Sequence, residues 1–198
     1  MDLFEIEREY AAQGIAPICG CDEAGAGPLA GPVYAAAVIL PMDCTIEGLN
    51  DSKKLTEKAR ERLFPVICEK AVAYAIASVD EKTIDEINIL RARLLAMDKA
   101  IRQLTVTPAF ALIDGNRNAG ISIPNATVIN GDSRSASIAA ASILAKVSRD
   151  RYMYALAEKY PQYFFEKHKG YGTKLHYEAL REHGPCDAHR LTFLKKMH

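Results

Sequence analysis

The chain of 198 residues balances 25 Lys and Arg against 25 Asp and Glu, with 49% hydrophobic and 25% charged residues. Such proportions exclude a disordered chain and fit one domain, or one domain with a small appendage, able to bury roughly 70% of its unfolded surface without a disulfide or structural metal. No apolar run approaches the roughly 18 residues of a membrane span. Met1–Tyr10 is charged rather than signal-like, and the five cysteines lack CxxC pairing, so a cytoplasmic protein with neither disulfide framework nor zinc ribbon is expected. The charge balance conceals an asymmetry. Residues 146–198 hold 11 Lys and Arg, 6 Asp and Glu and all five His, leaving 14 basic against 19 acidic residues for 1–145. A basic end suits a polyanion and an acidic body a cation; the alternative is that both are solvated helical faces.

In chain order, Ile15–Asp22 and Gly31–Leu40 read as strands, being apolar, β-prone or small-residue runs joined across the turn-forming segment AGAGPLAGP. Thr56 precedes a helical pattern, EKARERLFPVICEK, in which Pro65 predicts an irregularity. Ala71–Ser78 is a third strand. Apolar residues at Ile84, Ile87, Leu90, Leu94, Met97 and Ile101 predict a single helix over Thr83–Leu104 with one buried stripe. Ala109–Asp114 and Ala126–Asn130 are short strands running into the polar turns DGN and NGDS. Ser133–Lys159 is the longest helix, and Ala136, Ala139, Ala140, Ala141 and Ala145 allow it to lie close against another element. From Pro161 onward, short helices and loops rich in Lys, His and Tyr are expected. Strands first and helix alternating with strand afterwards point to an α/β sheet layered with helices.

Four acidic residues fall where a strand meets a turn: Asp22 and Glu23, Asp114, and Asp132. Strand ends on one edge of a sheet converge although remote in sequence, and clustered carboxylates repel unless a cation lies between them, for which oxygen donors favour Mg²⁺ or Mn²⁺. Each residue has a plainer alternative: Asp132 as the N-cap of a helix starting at Ser133, Asp114-Gly115 as a turn, Asp22-Glu23 as solvated loop charge. Gly25-Ala26-Gly27 offers backbone N–H groups that can approach a phosphate or hydroxyl, without being a GxGxxG dinucleotide motif. The segment Asn50–Leu55 combines small polar donors with Lys53 and Lys54, a phosphate contact or simply a loop leading to a helix. Tyr171, between glycines and cations in HKGYGT, suits stacking on a nucleotide, or packing against the domain. Cys19 and Cys21 share one face of a strand and read as core. The histidines lack HExxH spacing, with His168, His176 and His189 expected along a polar surface, and no GxSxG elbow supports a serine nucleophile.

The segments DEAGAGPLAGPV, NDSKKL, LIDGN, NGDSRSASIAAASILAKVSRD, HKGYGTKLH and HRLTF, in this order, resemble bacterial ribonuclease HII from about Ile18 to Phe193. The resemblance implies a ribonuclease H-like mixed β-sheet flanked by helices, with residues 1–160 as the catalytic core and 161–198 as a small C-terminal helical region completing the substrate surface of a single domain. It implies a monomeric, metal-dependent endonuclease acting on RNA–DNA hybrids and on duplex DNA containing ribonucleotides, with cleavage on the 5′ side that leaves 3′-hydroxyl and 5′-phosphate ends. Its implied role is the removal of misincorporated ribonucleotides and RNA primers. Carried over by motif, Asp22, Glu23, Asp114 and Asp132 are the catalytic carboxylates holding two Mg²⁺ or Mn²⁺ ions. The turn Gly25, Ala26 and Gly27 reads the ribonucleotide 2′-hydroxyl, and Tyr171 stacks on the deoxyribose just 3′ of the junction. Asn50, Ser52 and Lys53 touch the nucleic-acid backbone, Lys146 adds a cationic contact, and Arg149 and Asp150 serve helix packing or support the site from behind. One residue departs from the family pattern DEAGRG: Ala26 stands where an arginine is expected. A catalytically weakened protein that mainly binds RNA–DNA junctions is therefore an alternative reading. A Mg²⁺-dependent phosphatase of small molecules is disfavoured by the basic, tyrosine-bearing C-terminal end.

Overall fold

Period-two alternation builds the sheet. In the computed structural model, which describes residues 2–42 and 44–195, helix α1 (Glu5–Ala12) is followed by strands β1 (Ile18–Ala24) and β2 (Val33–Ile39). Along β2, Val33, Ala35, Ala37 and Ile39 enter one core and Ala36 and Val38 the other, so the strand is buried on both faces. Helix α2 (Glu57–Lys70), strand β3 (Ala73–Val79), helices α3 (Glu81–Ile87) and α4 (Ile89–Arg102), and strands β4 (Phe110–Asp114) and β5 (Asn125–Val128) come next, before the long helix α5 (Ala136–Lys159). The strand order is β3-β2-β1-β4-β5, with β1, β2 and β3 antiparallel and β4 and β5 parallel to β1. The implied mixed sheet with flanking helices is present.

Helix α4 covers one face through Ala92, Ala96, Met97 and Ala100, beside Cys19 and Cys21, which are fully buried as expected of core residues. Helices α2 and α5 cover the other, through Leu63 and Ile67 and through Ala140, Ile143 and Leu144. The alanines of α5 permit a very close approach to β1: a Cβ at Gly20 would overlap the backbone of Ser137 and Ile138 and lie 2.7 Å from Ser137 Cβ. The start of α5 is held by α1, where buried Glu7 Oε1 accepts from the Ser135 hydroxyl (2.6 Å) and from Ser137 N (3.0 Å).

The C-terminal residues form α6 (Phe165–His168), α7 (Lys174–His183) and α8 (Leu191–Leu194). They close a third cluster, in which Tyr163, Phe165 and Leu180 meet Leu29, Ala30 and Met153. Among the described residues no helix is long and apolar enough to cross a membrane.

Four sequence expectations are corrected. The helix expected over 83–104 is two, because Asn88 takes a left-handed φ of 66° and its side chain accepts from Arg91 N, ending α3 and capping α4. The longest helix begins at Ala136 rather than Ser133: Asp132 lies in a 3₁₀ turn, Gly131–Ser133, and Ser135 is the cap, accepting from Ile138 N at 3.2 Å. Helix α2 runs on through Pro65 without interruption, forgoing one ladder hydrogen bond. His168, His176 and His189 do not line a surface but are buried among Tyr163 and Phe165.

Candidate active site

The parallel pairing of β1 with β4 sets Cys21 beside Ile113, so Asp22 and Asp114 follow at the same end of adjacent strands. Asp114 in turn pairs with Val128 of β5, and the four residues beyond lead to Asp132. Gly131 N donates to Asp114 Oδ1 at 2.7 Å, and a Cβ on Gly131 would lie 3.1 Å from that oxygen and 2.6 Å from Ile138 Cδ1. Glycine is thus what lets the second turn close over the first. Glu23 follows Asp22, whose Oδ1 accepts from Glu23 N at 2.7 Å. Topology thus sets Asp22, Glu23 and Asp114 at one end of neighbouring strands, with Asp132 in the turn beyond β5.

Their electrostatics are those of crowded, desolvated acids. Burial, then the charges of Glu23 and Asp114, push the Asp22 carboxyl well above the usual carboxylate range. Burial also raises Glu23, against the opposing Arg93 guanidinium, whose Nη1 lies 3.1 Å from Glu23 Oε1. Burial raises Asp132, opposed by the Lys53 ammonium at 3.1 Å from Oδ2. Each carboxylate therefore already has a protein donor, and among the described residues no three His, Cys, Asp or Glu side chains are closed into a ready metal cage. The donor set nevertheless fits a hard divalent cation: it is all oxygen, the Asp114 charge helps to push up Asp22, Glu23 and Asp132, and Glu23 Oε2 is buried with no hydrogen-bond partner.

Beside the acids opens a cleft of about 220 Å³. Asp22, Glu23 and Asp114 form one side, the Gly25–Gly27 turn and Tyr171 another, and Ser52, Lys53, Lys146 and Arg149 complete it. Tyr171 is 46% exposed, available for stacking rather than packed into the domain. Lys146 donates to Asp150 Oδ1 at 2.6 Å, and burial lowers its pKa against that partner. Asp132 reaches the cleft through its bond to Lys53. Asn50 does not line it; its Oδ1 folds back onto Asp51 N at 2.8 Å at the exposed start of the loop.

Three arginines belong to the site that sequence reasoning missed or undervalued. Arg93 faces Glu23. Arg149 passes beneath the glycine turn, where a Cβ on Gly25 (φ 93°) would overlap its Nε and Cδ. Arg190 donates to the carbonyls of Gly25 and Ala26 at 2.6 and 3.1 Å. AKVSRD carried Arg149, expected to serve helix packing or to support the site from behind; Arg190 lay within HRLTF with no role of its own and Arg93 in no motif, because burial by remote loops leaves no local pattern.

Comparison with known proteins agrees with this geometry. The family model described as Ribonuclease HII matches residues 19–198. The chain is 54% identical to a ribonuclease HII of Caldicellulosiruptor bescii over 99% of its own length and 95% of that protein. It is 56% identical to one of Endomicrobium trichonymphae, over 97% and 92%. Among solved structures it is similar to the ribonuclease H2 of Pyrococcus horikoshii, with a TM-score of 0.71 and 26% identity over 88% of this chain and 92% of that one. The ribonuclease HII of Archaeoglobus fulgidus, solved in complex with PCNA, gives 0.73 and 25% over 89% and 94%.

Proposed function

The chain belongs to the ribonuclease HII family, a nuclease hydrolase of ribonuclease H fold, and from that premise we propose that its acidic cleft cleaves the phosphodiester on the 5′ side of a ribonucleotide, in RNA–DNA hybrids and at single ribonucleotides within duplex DNA. The observation that carries this reading is the convergence of Asp22, Glu23 and Asp114 with the Gly25–Gly27 turn and Tyr171 around one cleft. Asp22, Glu23, Asp114 and Asp132 would hold divalent cations, Mg²⁺ or Mn²⁺, and such ions, when bound, supply an activated water and charge stabilisation for the departing 3′-oxygen.

The chain's own residues account for the rest. The turn after Glu23 lines the cleft and brings its backbone groups to it, which suits reading a 2′-hydroxyl, the group that separates RNA from DNA. Tyr171 offers a ring face for the nucleotide 3′ of the junction, and Lys53 and Lys146 place cations where phosphates would pass. Lys53 also neutralises Asp132 in the absence of substrate, so its ammonium is within reach of both the carboxylates and the cleft. Ala26 leaves the backbone recognition of the turn intact and removes only a side-chain cation.

The test is Asp22→Asn and Asp114→Asn. Each is expected to abolish nicking of a duplex carrying one ribonucleotide while circular dichroism stays unchanged. Full activity in both would sink the assignment.

A further inference from the structure

Arg190 is completely buried, yet every hydrogen bond its guanidinium makes among the described residues goes to a main-chain carbonyl of one loop. Nη2 donates to Gly25 O at 2.6 Å and Gly31 O at 2.7 Å, Nη1 to Ala26 O at 3.1 Å, and Nε to Gly31 O at 2.9 Å. A buried guanidinium is costly unless its donors are satisfied, and here its fork is spent on fixing a turn. Peptide planarity gives this a directional consequence. A trans peptide points its C=O and the next N–H in opposite directions, so carbonyls of Gly25 and Ala26 turned toward Arg190 turn the N–H groups of Ala26 and Gly27 away from it, on the turn that lines the cleft. Neither of those N–H groups donates to another described residue.

The same residue is joined to the loop that carries Tyr171. Arg190 N donates to Leu29 O and Leu29 N to Gly170 O, both at 2.8 Å. Its neighbour His189 meets His176 at 3.0 Å between Nε2 atoms, and His176 Nδ1 lies 2.9 Å from Tyr171 O. Arg149 makes the parallel tie, donating to Ala30 O (3.1 Å), Pro32 O (3.1 Å) and Lys169 O (3.0 Å). Burial, then the Arg149 charge, push Arg190 down to about 9, which leaves it cationic at neutral pH.

We propose that Arg190 is the positioning residue for ribonucleotide selectivity: it touches no substrate but holds the Ala26 and Gly27 N–H groups toward the 2′-hydroxyl and fixes their place relative to Tyr171. The proposal rests on the reading of this turn given above.

Arg190→Lys keeps the charge and loses the fork. In an Asp114→Asn background, which is meant to bind without cutting, the affinities of a single-ribonucleotide duplex and of its all-DNA counterpart are compared by fluorescence anisotropy. Adding Arg190→Lys is expected to lower the preference for the ribonucleotide duplex about tenfold, with the all-DNA affinity unchanged. A merely structural arginine would weaken both duplexes alike, and an unchanged preference overturns the proposal. Should Arg190→Lys fail to fold, ¹⁵N-detected exchange in the intact protein decides: the Arg190 Nε–H is expected to exchange about a hundredfold more slowly than that of a solvated arginine, and exchange at the solvated rate overturns the proposal. If the chain with Arg190 intact shows no preference between the duplexes, the reading of the turn itself has failed. The exchange measurement still reports whether Arg190 holds it.

Discussion

Gly25 and Gly120 have the same backbone dihedral, φ 93°, but different surroundings, and together they separate conformational strain from close approach. At Gly120 a Cβ would meet nothing within 4 Å, whereas at Gly25 it would overlap Nε and Cδ of Arg149 and lie 2.9 Å from Cζ. Gly120→Ala is therefore expected to cost only the left-handed strain, about 1–2 kcal/mol. Gly25→Ala carries the same strain and must also displace a side chain that is 1% exposed and bonded to three carbonyls. Hydrogen bonds to charged groups are worth about 1.5–3 kcal/mol each, so losing one of the three adds about that much. Urea unfolding followed by circular dichroism measures both variants, with equal m-values as the check that the denatured states match. Nicking of a single-ribonucleotide duplex should fall for Gly25→Ala and persist for Gly120→Ala. Equal destabilisation of the two would refute the claim that Arg149 is locked beneath the turn.

Tyr171→Ala is expected to lower kcat/KM on a single-ribonucleotide duplex by the value of stacking on one nucleotide, about 1–3 kcal/mol, or roughly one to two decades; unchanged kcat/KM would make the tyrosine structural. Ala26→Arg is expected to raise kcat/KM by roughly one to two decades, through a charge-assisted phosphate contact, with RNA-over-DNA discrimination nearly unchanged. The check is a side-by-side titration at fixed salt and Mg²⁺, and no gain would mean another cation, Lys53 or Lys146, already serves that phosphate. Burial holds His176 and His189 down to about 4, while in the unfolded chain they titrate near about 6.5. Between those values the unfolded chain binds more protons, so stability should fall as pH drops through this window. Urea unfolding across the window should show this slope, and His176→Asn should flatten it; an identical slope in the variant would contradict the assignment.

The four carboxylates were legible in the sequence because each sits where an apolar run stops at a turn, a signal that survives without tertiary information. Strands β1 and β2 were likewise legible, as runs of apolar, β-prone or small residues, and so was the close packing of α5, from its alanines. Illegible were features set by remote contacts. Asn88 splits one periodic stripe into two helices because its side chain caps the second, and a stripe of apolar residues does not record that break. His168, His176 and His189 read as polar but are sheltered by the aromatic side chains of Tyr163 and Phe165. Asn50 belongs to a loop whose other members reach the cleft, yet its side chain caps its neighbour's amide instead. Arg93, Arg149 and Arg190 acquire their roles from partners at least 20 residues away in the chain, and no local pattern encodes such partners.

The central claim is that the acidic cleft cuts the strand on the 5′ side of a ribonucleotide. It is tested most directly by mapping both ends of the cut in a DNA duplex carrying one ribonucleotide, with Mg²⁺ or Mn²⁺ supplied and an all-DNA duplex alongside. The expected result is a single nick with a 3′-hydroxyl on the upstream fragment, a 5′-phosphate on a downstream fragment that begins with the ribonucleotide, and an intact control. A cut on the 3′ side, equal cutting of the all-DNA duplex, or no cut with either ion would contradict it.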